Sequence, residues 1–382
     1  LSPSNRKTPI PVPRRVAVIG AGSWGTTFAK ILADGGSDVV MWARRAELAR
    51  EITEAKRNSD YLPGINLPRN IRASSRIEEA LEGADHIYLS IPSQSLRSNL
   101  EALAPALTER TVLVSLMKGV EKGTGLRMSE VIAQVLPIDP SRIAVASGPN
   151  LALEIAKEQP TAAVIASVSL ETAQEVALAA TNRYFRSYVN TDVIGTEFGG
   201  VLKNLIAVAI GIVDGVGYGE NTKASIITRG LAEMTDFAVA YGGEAVTMSG
   251  LAGLGDLIAT SSSSLSRNNT AGRLLGQGYS FADVVKTMQQ TAEGLASVAP
   301  VLELASARGV DMPIVRQVSQ VLAGTLDPKD IAPHLTTDSD EPQGERNIDD
   351  QQARSGRSFW RPFKRALDQL RDGGGGTPSD RS

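Results

Sequence analysis

"RRVAVIGAGSWG" (residues 14–25) joins a short run of small and β-branched apolar residues to three glycines spaced G-x-G-x-x-G. A strand that ends on such a turn and opens at once into a helix reads as the first βα unit of a dinucleotide-binding sheet. Gly20 permits the tight turn, Gly22 lets backbone approach a pyrophosphate, and Gly25 allows helix and strand to pack closely. The N–H groups of the helix N-terminus then face the phosphates.

Moving outward, the same pattern recurs in "SDVVMWARR" (37–45), "DHIYLSIP" (85–92), "RTVLVSLMKG" (110–119) and "SRIAVASGP" (141–149). Helix-like stretches lie between them at 24–34, 45–57, 76–82, 94–107 and 127–135. Apolar strands without alternation, separated by helices, predict a parallel sheet covered on both faces. "TAAVIAS" (161–167) and "YFRSYVN" (184–190) complete it, after which strand signals stop and helical runs continue to about 326. The predicted architecture is α/β: a Rossmann-type doubly wound sheet over 14–190, then a mostly α-helical substrate domain over 191–331. Residues 1–13 read as a flexible leader and 332–382 as a polar, disordered tail. Within the tail, "FWRPFKRALDQL" reads either as solvated chain or as a basic amphipathic helix making weak contact with a membrane surface.

Bulk composition narrows the chemistry. A net charge of -3 over 382 residues gives no reason to expect nucleic acid as a partner. The absence of cysteine excludes disulfides, thiolate metal sites and a cysteine nucleophile, fits a reducing cytoplasm, and leaves no metal expected. The apolar run 201–216 falls short of a transmembrane length of about 20 residues and carries Lys203, Asn204 and Asp214, so it reads as a buried core helix.

The second strand ends in Arg44 and Arg45, where an NAD-specific site usually has Asp or Glu. Two arginines there suit a 2′-phosphate, so NADP(H) is the expected cofactor with NAD(H) possible; a solvated face is the alternative. A dehydrogenase also needs a proton donor. The only histidines, His86 and His334, lie at a strand start and in the tail, which leaves Lys203 within "GGVLKNLIAVAIGIV" (199–213). Burial among apolar helices would lower its pKa toward neutrality and make it a competent acid/base; alternatively it snorkels to solvent or pairs with a carboxylate such as Glu197. Asp256, Ser266, Arg267 and Asn268 gather anion-binding donors near a helix start, against the simpler reading of a solvated serine-rich loop. Lys118 ends one strand, and Asn150, beyond another, either meets a ligand or caps the next helix.

Together "GAGSWGTTFA", "SLMKGVEKGTG", "ASGPNLALEIAKEQPTA", "GTEFGGVLKNLIAVAIGIVDG", "GLAGLGDLIATSSSSLSRNN" and "AEG" resemble the bacterial NAD(P)-dependent glycerol-3-phosphate dehydrogenases over about 14–330. The resemblance implies a cytoplasmic, usually homodimeric enzyme that interconverts dihydroxyacetone phosphate and sn-glycerol 3-phosphate, supplying phospholipid synthesis. It implies cofactor contacts at Ser23, Trp24, Arg44, Arg45, Tyr61, Lys118, Ala152, Arg267 and Glu293, beside the glycines Gly20, Gly22 and Gly25. Substrate contacts are implied at Lys118, Gly148, Asn150, Asp256, Ser266, Arg267 and Asn268, with Lys203 as the proton-transfer residue. Asn150 stands where the family usually has Ser or Thr. The alternatives are a related two-domain dehydrogenase of a β-hydroxyacid and a non-catalytic NADPH sensor.

Overall fold

The computed structural model describes residues 14–288 and 292–331. The expected leader and tail, including "FWRPFKRALDQL", lie outside the described residues. Eight strands form one sheet: β1 (Arg15–Ile19), β2 (Asp38–Trp42), β3 (Ile71–Ser74), β4 (His86–Leu89), β5 (Val112–Ser115), β6 (Ile143–Ser147), β7 (Thr161–Ala166) and β8 (Phe185–Asn190). Their order, β3-β2-β1-β4-β5-β6-β7-β8, reverses direction at β1, and that switch point puts a crevice beyond the strand C-termini. The pairing is parallel except between β6 and β7, which corrects the expectation of an all-parallel sheet. β3 was absent from the expected strands. It is a four-residue edge strand, "IRAS", in which only Ile71 is fully buried, so it carries too little apolar signal to read.

Seven helices accompany the sheet: α1 (Ser23–Asp34), α2 (Ala46–Arg50), α3 (Ile77–Leu81), α4 (Leu96–Leu100), α5 (Met128–Val135), α6 (Ala152–Ala156) and α7 (Leu170–Ala179). They cover both faces, burying Phe28, Tyr88 and Phe185 on one and Leu89, Leu113 and Ile132 on the other. The stretch 45–57, expected as one helix, is α2 followed by a π-helical turn over Glu51–Ala55 that ends where Lys56 adopts φ 52. That left-handed stop sends the chain back toward the glycine turn.

The rest is helical: α8 (Val193–Val216), α9 (Glu220–Ala240), α10 (Ala245–Met248), α11 (Asp256–Ser262), α12 (Arg267–Gly276), α13 (Phe281–Thr287), α14 (Glu293–Ala307) and α15 (Pro313–Leu322). α8 is the axis of this region. Asp192 caps it by accepting from the Gly195 N–H at 2.8 Å, and Gly217 at φ 97 terminates it. It is long and apolar enough to cross a membrane, yet 83% of its apolar window is buried inside the protein, as a core helix requires.

α8 and α12 touch backbone to backbone. A Cβ on Gly211 would come 2.2 Å from the Asn269 carbonyl, and one on Gly272 would come 2.1 Å from the Val208 carbonyl. Gly215 and Gly276 meet the facing helix as closely. No side chain longer than hydrogen fits this seam. It fixes the start of α12 against the middle of α8, which positions Arg267 relative to Lys203.

Candidate active site

A cavity of about 830 Å³ opens at the sheet's switch point. The first βα turn forms one end of it. A Cβ on Gly20, at φ 115, would fall 2.2 Å from the Ser90 carbonyl, and one on Gly25 would fall 2.2 Å from the Gly20 carbonyl. Gly22 differs: a Cβ there meets nothing within 4 Å, so its face is open cradle. Among the described residues no side chain caps α1, which leaves its first N–H groups for a ligand. The buried Trp24 Nε1 also has no partner. Open backbone beside unmet donors fits a dinucleotide pyrophosphate. Arg44, Arg45 and Tyr61 line the same end, and Ser23 donates to the Tyr61 carbonyl at 2.8 Å.

The other end is charged and buried. Lys118, just beyond β5, and Lys203, in the middle of α8, converge on one carboxylate. Asp256 Oδ2 lies 2.6 Å from Lys118 Nζ, and Oδ1 lies 3.0 Å from Lys203 Nζ. Burial alone would push the Asp256 carboxyl up, but the two ammonium groups outweigh it and hold it below the ordinary carboxylate range. Lys203 therefore does not snorkel and does not stand alone in an apolar shell. Glu197, the partner considered for it, is occupied by Arg127 at 2.6 Å and by the Ser129 N–H at 2.9 Å. An apolar sequence around a lysine shows its burial, while the counter-charge comes from a helix more than fifty residues away.

Thr260, on the turn of α11 after Asp256, completes the cluster: its hydroxyl accepts from Lys203 at 2.6 Å and donates to Asp256 Oδ1 at 3.1 Å. Sequence reasoning missed it, although its i+4 spacing from Asp256 was a usable signal. Lys118 also donates to the Gly148 carbonyl at 3.1 Å. A Cβ on Gly200 would press on Lys118 Cγ at 3.2 Å, so glycine at that place lets the lysine lie across α8.

Asn150 lines the cavity, and both of its amide atoms are buried without partners, as is the nearby Ser147 hydroxyl. It does not cap α6, whose N-cap is Leu151. Unmet hydrogen-bonding groups at a cavity wall are where a polar ligand is worth most. Ala152 and Arg267 also face the cavity. Ser266 is the N-cap of α12, accepting from the Asn269 N–H at 3.2 Å. The Asn268 side chain is a strut: it donates to Asn204 Oδ1 at 2.8 Å and accepts from the Gly294 N–H at 3.0 Å. These two bonds fix the amide at the cavity wall and leave one of its two N–H donors for an anion. Glu293 opens α14, and its side chain is outside what the structure describes.

Comparison with known proteins agrees with this geometry. The family description "NAD-dependent glycerol-3-phosphate dehydrogenase N-terminus" matches residues 15–173, and its C-terminal counterpart matches 192–333. The glycerol-3-phosphate dehydrogenase (NAD(P)+) of Leifsonia xyli subsp. xyli is 76% identical over 369 residues, 95% of this chain and 100% of that protein. The enzyme of that name from Streptomyces griseus is 52% identical over 331 residues, covering 87% of this chain and 98% of its own.

The chain belongs to the NAD-dependent glycerol-3-phosphate dehydrogenase family.

It is thus an NAD(P)-dependent oxidoreductase acting on a CH–OH group, and the sensor and β-hydroxyacid alternatives give way. The solved glycerol-3-phosphate dehydrogenase of Coxiella burnetii superposes with a TM-score of 0.80 at 35% identity, over 86% of this chain and 100% of that one. The Rossmann-type sheet followed by a helical region is the shared plan of this family.

Proposed function

We propose that this dehydrogenase reversibly reduces dihydroxyacetone phosphate to sn-glycerol 3-phosphate, with Lys203 as its proton donor and acceptor. The observation that carries the reading is the single buried carboxylate, Asp256, shared by two ammonium groups at the cavity floor. A nicotinamide cofactor held by the glycine turn, Arg44 and Arg45 would supply the hydride that the ketone carbon accepts. Lys203 Nζ gives its proton to the oxygen that becomes the alkoxide, and Thr260 and Asp256 fix the direction of that ammonium. Lys118 adds positive charge where negative charge develops, aimed in advance by Asp256 and the Gly148 carbonyl. The substrate phosphate rests at the start of α12, where Arg267 and the helix N–H groups favour an anion. That remote grip orients the reacting carbonyl, and Asn150 meets its polar end. In the oxidative direction the neutral amine takes the hydroxyl proton.

The same reading divides the chain into a cofactor-binding domain over 14–190 and a substrate domain over 191–331. It takes NADP(H) as the preferred cofactor through Arg44 and Arg45, with NAD(H) accepted. A cytoplasmic homodimer feeding phospholipid synthesis is the setting that the family resemblance supports.

The test is nicotinamide oxidation with dihydroxyacetone phosphate, wild type beside Lys203→Ala. A folded variant should lose activity by roughly a hundred- to ten-thousandfold in kcat, the usual contribution of a general acid. Full turnover in that variant would remove Lys203 from the chemistry.

A further inference from the structure

Arg45 is not waiting in solvent for a 2′-phosphate. Its guanidinium is ion-paired to the Asp60 carboxylate, both side chains remain half exposed, and Arg45 and the neighbouring Tyr61 line the cofactor end of the cavity. Exposed ion pairs are usually weak and mobile, but Asp60 is held in place from both sides. Before it, Ser59 donates to Glu51 Oε1 through its N–H at 3.1 Å and also through its hydroxyl. After it, the Tyr61 carbonyl accepts from Ser23 in the glycine turn. Beneath it, the fully buried Asn58 donates to the Ala21 carbonyl at 2.9 Å and to Thr26 Oγ1 at 2.8 Å, while its own Oδ1 receives the Tyr61 N–H. The loop carrying Asp60 is therefore buttoned to the pyrophosphate cradle. The carboxylate stays against Arg45 because the backbone keeps it there.

We propose that Asp60 is the residue that sets cofactor choice, a resident anion occupying Arg45 in competition with the 2′-phosphate of NADP(H). This rests on the reading that Arg44 and Arg45 face the adenosine ribose. With NAD(H) bound, the ribose hydroxyls leave the Arg45–Asp60 pair intact. With NADP(H) bound, a phosphate of nearly two negative charges has to share Arg45 with a fixed carboxylate a few ångströms away. Arg44 remains available throughout, so NADP(H) is admitted at a discount in affinity. Two arginines alone would favour the phosphorylated cofactor strongly; two arginines and one tethered aspartate make a site that accepts both.

The experiment is equilibrium binding to the full-length protein, read by nicotinamide fluorescence for NADPH and NADH. Competition by 2′,5′-ADP against 5′-AMP isolates the ribose end. In Asp60→Asn, which keeps the shape and removes the charge, NADPH and 2′,5′-ADP should bind about five- to tenfold more tightly, and NADH and 5′-AMP within about twofold of wild type. Raising salt should weaken NADPH binding to the variant more steeply than to wild type, because a freed arginine then carries the contact. Arg45→Ala is the control and should weaken NADPH by about tenfold or more. If Arg45→Ala leaves NADPH binding as it was, Arg45 does not face the 2′-position and the proposal falls with that placement. If Arg45→Ala weakens NADPH while Asp60→Asn fails to strengthen it, the placement stands and the competing role of Asp60 is overturned.

Discussion

Two carboxylates, one at each end of the sheet, sit among cations and yet do different things. At the N-terminal ends of the strands, Glu175 on α7 meets Arg14 at 2.6 Å and His86 Nε2 at 2.9 Å, with Arg142 at 3.8 Å. At the C-terminal ends, Asp256 meets Lys118 and Lys203. Both carboxyls are held below their ordinary range. The contrast lies in what surrounds them. The second nitrogen of His86 is satisfied by the Tyr88 hydroxyl at 3.2 Å, and Arg14, His86, Arg142 and Glu175 lie away from the cavity. The upper one opens on a cavity, beside an Asn150 amide and a Ser147 hydroxyl that bond to nothing. A charged cluster is marked as a site by unmet capacity at a cavity more than by its charges.

The largest test of that contrast is Asp256→Asn. Removing the charge leaves two ammonium groups facing each other across an amide, and kcat should fall roughly a thousandfold, within the range for a displaced general acid, in a protein that circular dichroism shows folded. Near-normal turnover would mean the upper cluster is as structural as the lower. Glu175→Gln is the counterpart. It should leave kcat unchanged and lower stability by about 2 kcal/mol in denaturant unfolding, less than a fully buried pair because Glu175 is partly exposed. The loss should depend on pH. The hydrogen bond with His86 is the main cause holding the carboxyl at about 2, against burial and with help from Arg14 and Arg142. A folded value below the ordinary 4.5 means stability that is present above 4.5 and lost as pH falls through about 2, so the variant should lack that acid slope.

A third carboxylate sharpens the comparison with the smallest effect. Glu233 on α9 accepts from the Ile314 N–H at 2.8 Å at the start of α15, and its other oxygen bonds to nothing. Burial dominates and pushes it up to about 8 despite the helix N–H groups and the charges of Arg229 and Arg316. Here the sign is reversed. The folded state holds the proton more tightly, so stability declines as pH rises from 4.5 through about 8. Glu233→Gln, measured by thermal unfolding across that window, should flatten the decline and leave the lower pH limit little changed. A variant with the wild-type slope would remove Glu233 as its source.

How much of this was readable beforehand follows a physical division. The β1 turn, the strand cores and the long apolar α8 announced themselves, because burial of many apolar residues in a row leaves a pattern in the chain. Lys118, Lys203 and Asp256 could each be picked out as chemically interesting. Their convergence could not, since it depends on tertiary packing between β5, α8 and α11. Thr260 looked like one more member of a threonine- and serine-rich run. Asn268 reads in sequence as a ligand for phosphate, and its bonds to Asn204 and Gly294 show that it also braces α12, a role that an amide does not announce in sequence. Asp60 gave no signal at all beside two arginines fifteen residues earlier. The resemblance to known dehydrogenases supplied the roles, and the packing explains which atoms are available to fill them.

The glycine seam between α8 and α12 has a consequence for how such a protein can change over time. The distance from the middle of α8, where Lys203 sits, to the start of α12 is set by two backbones in contact and owes little to side-chain rotamers. Substitutions elsewhere in the helical core can alter melting temperature while leaving that spacing alone. Adaptation to heat or cold and fidelity toward a three-carbon phosphate can then be tuned on separate sets of positions. The four glycines are the ones that neither process can touch.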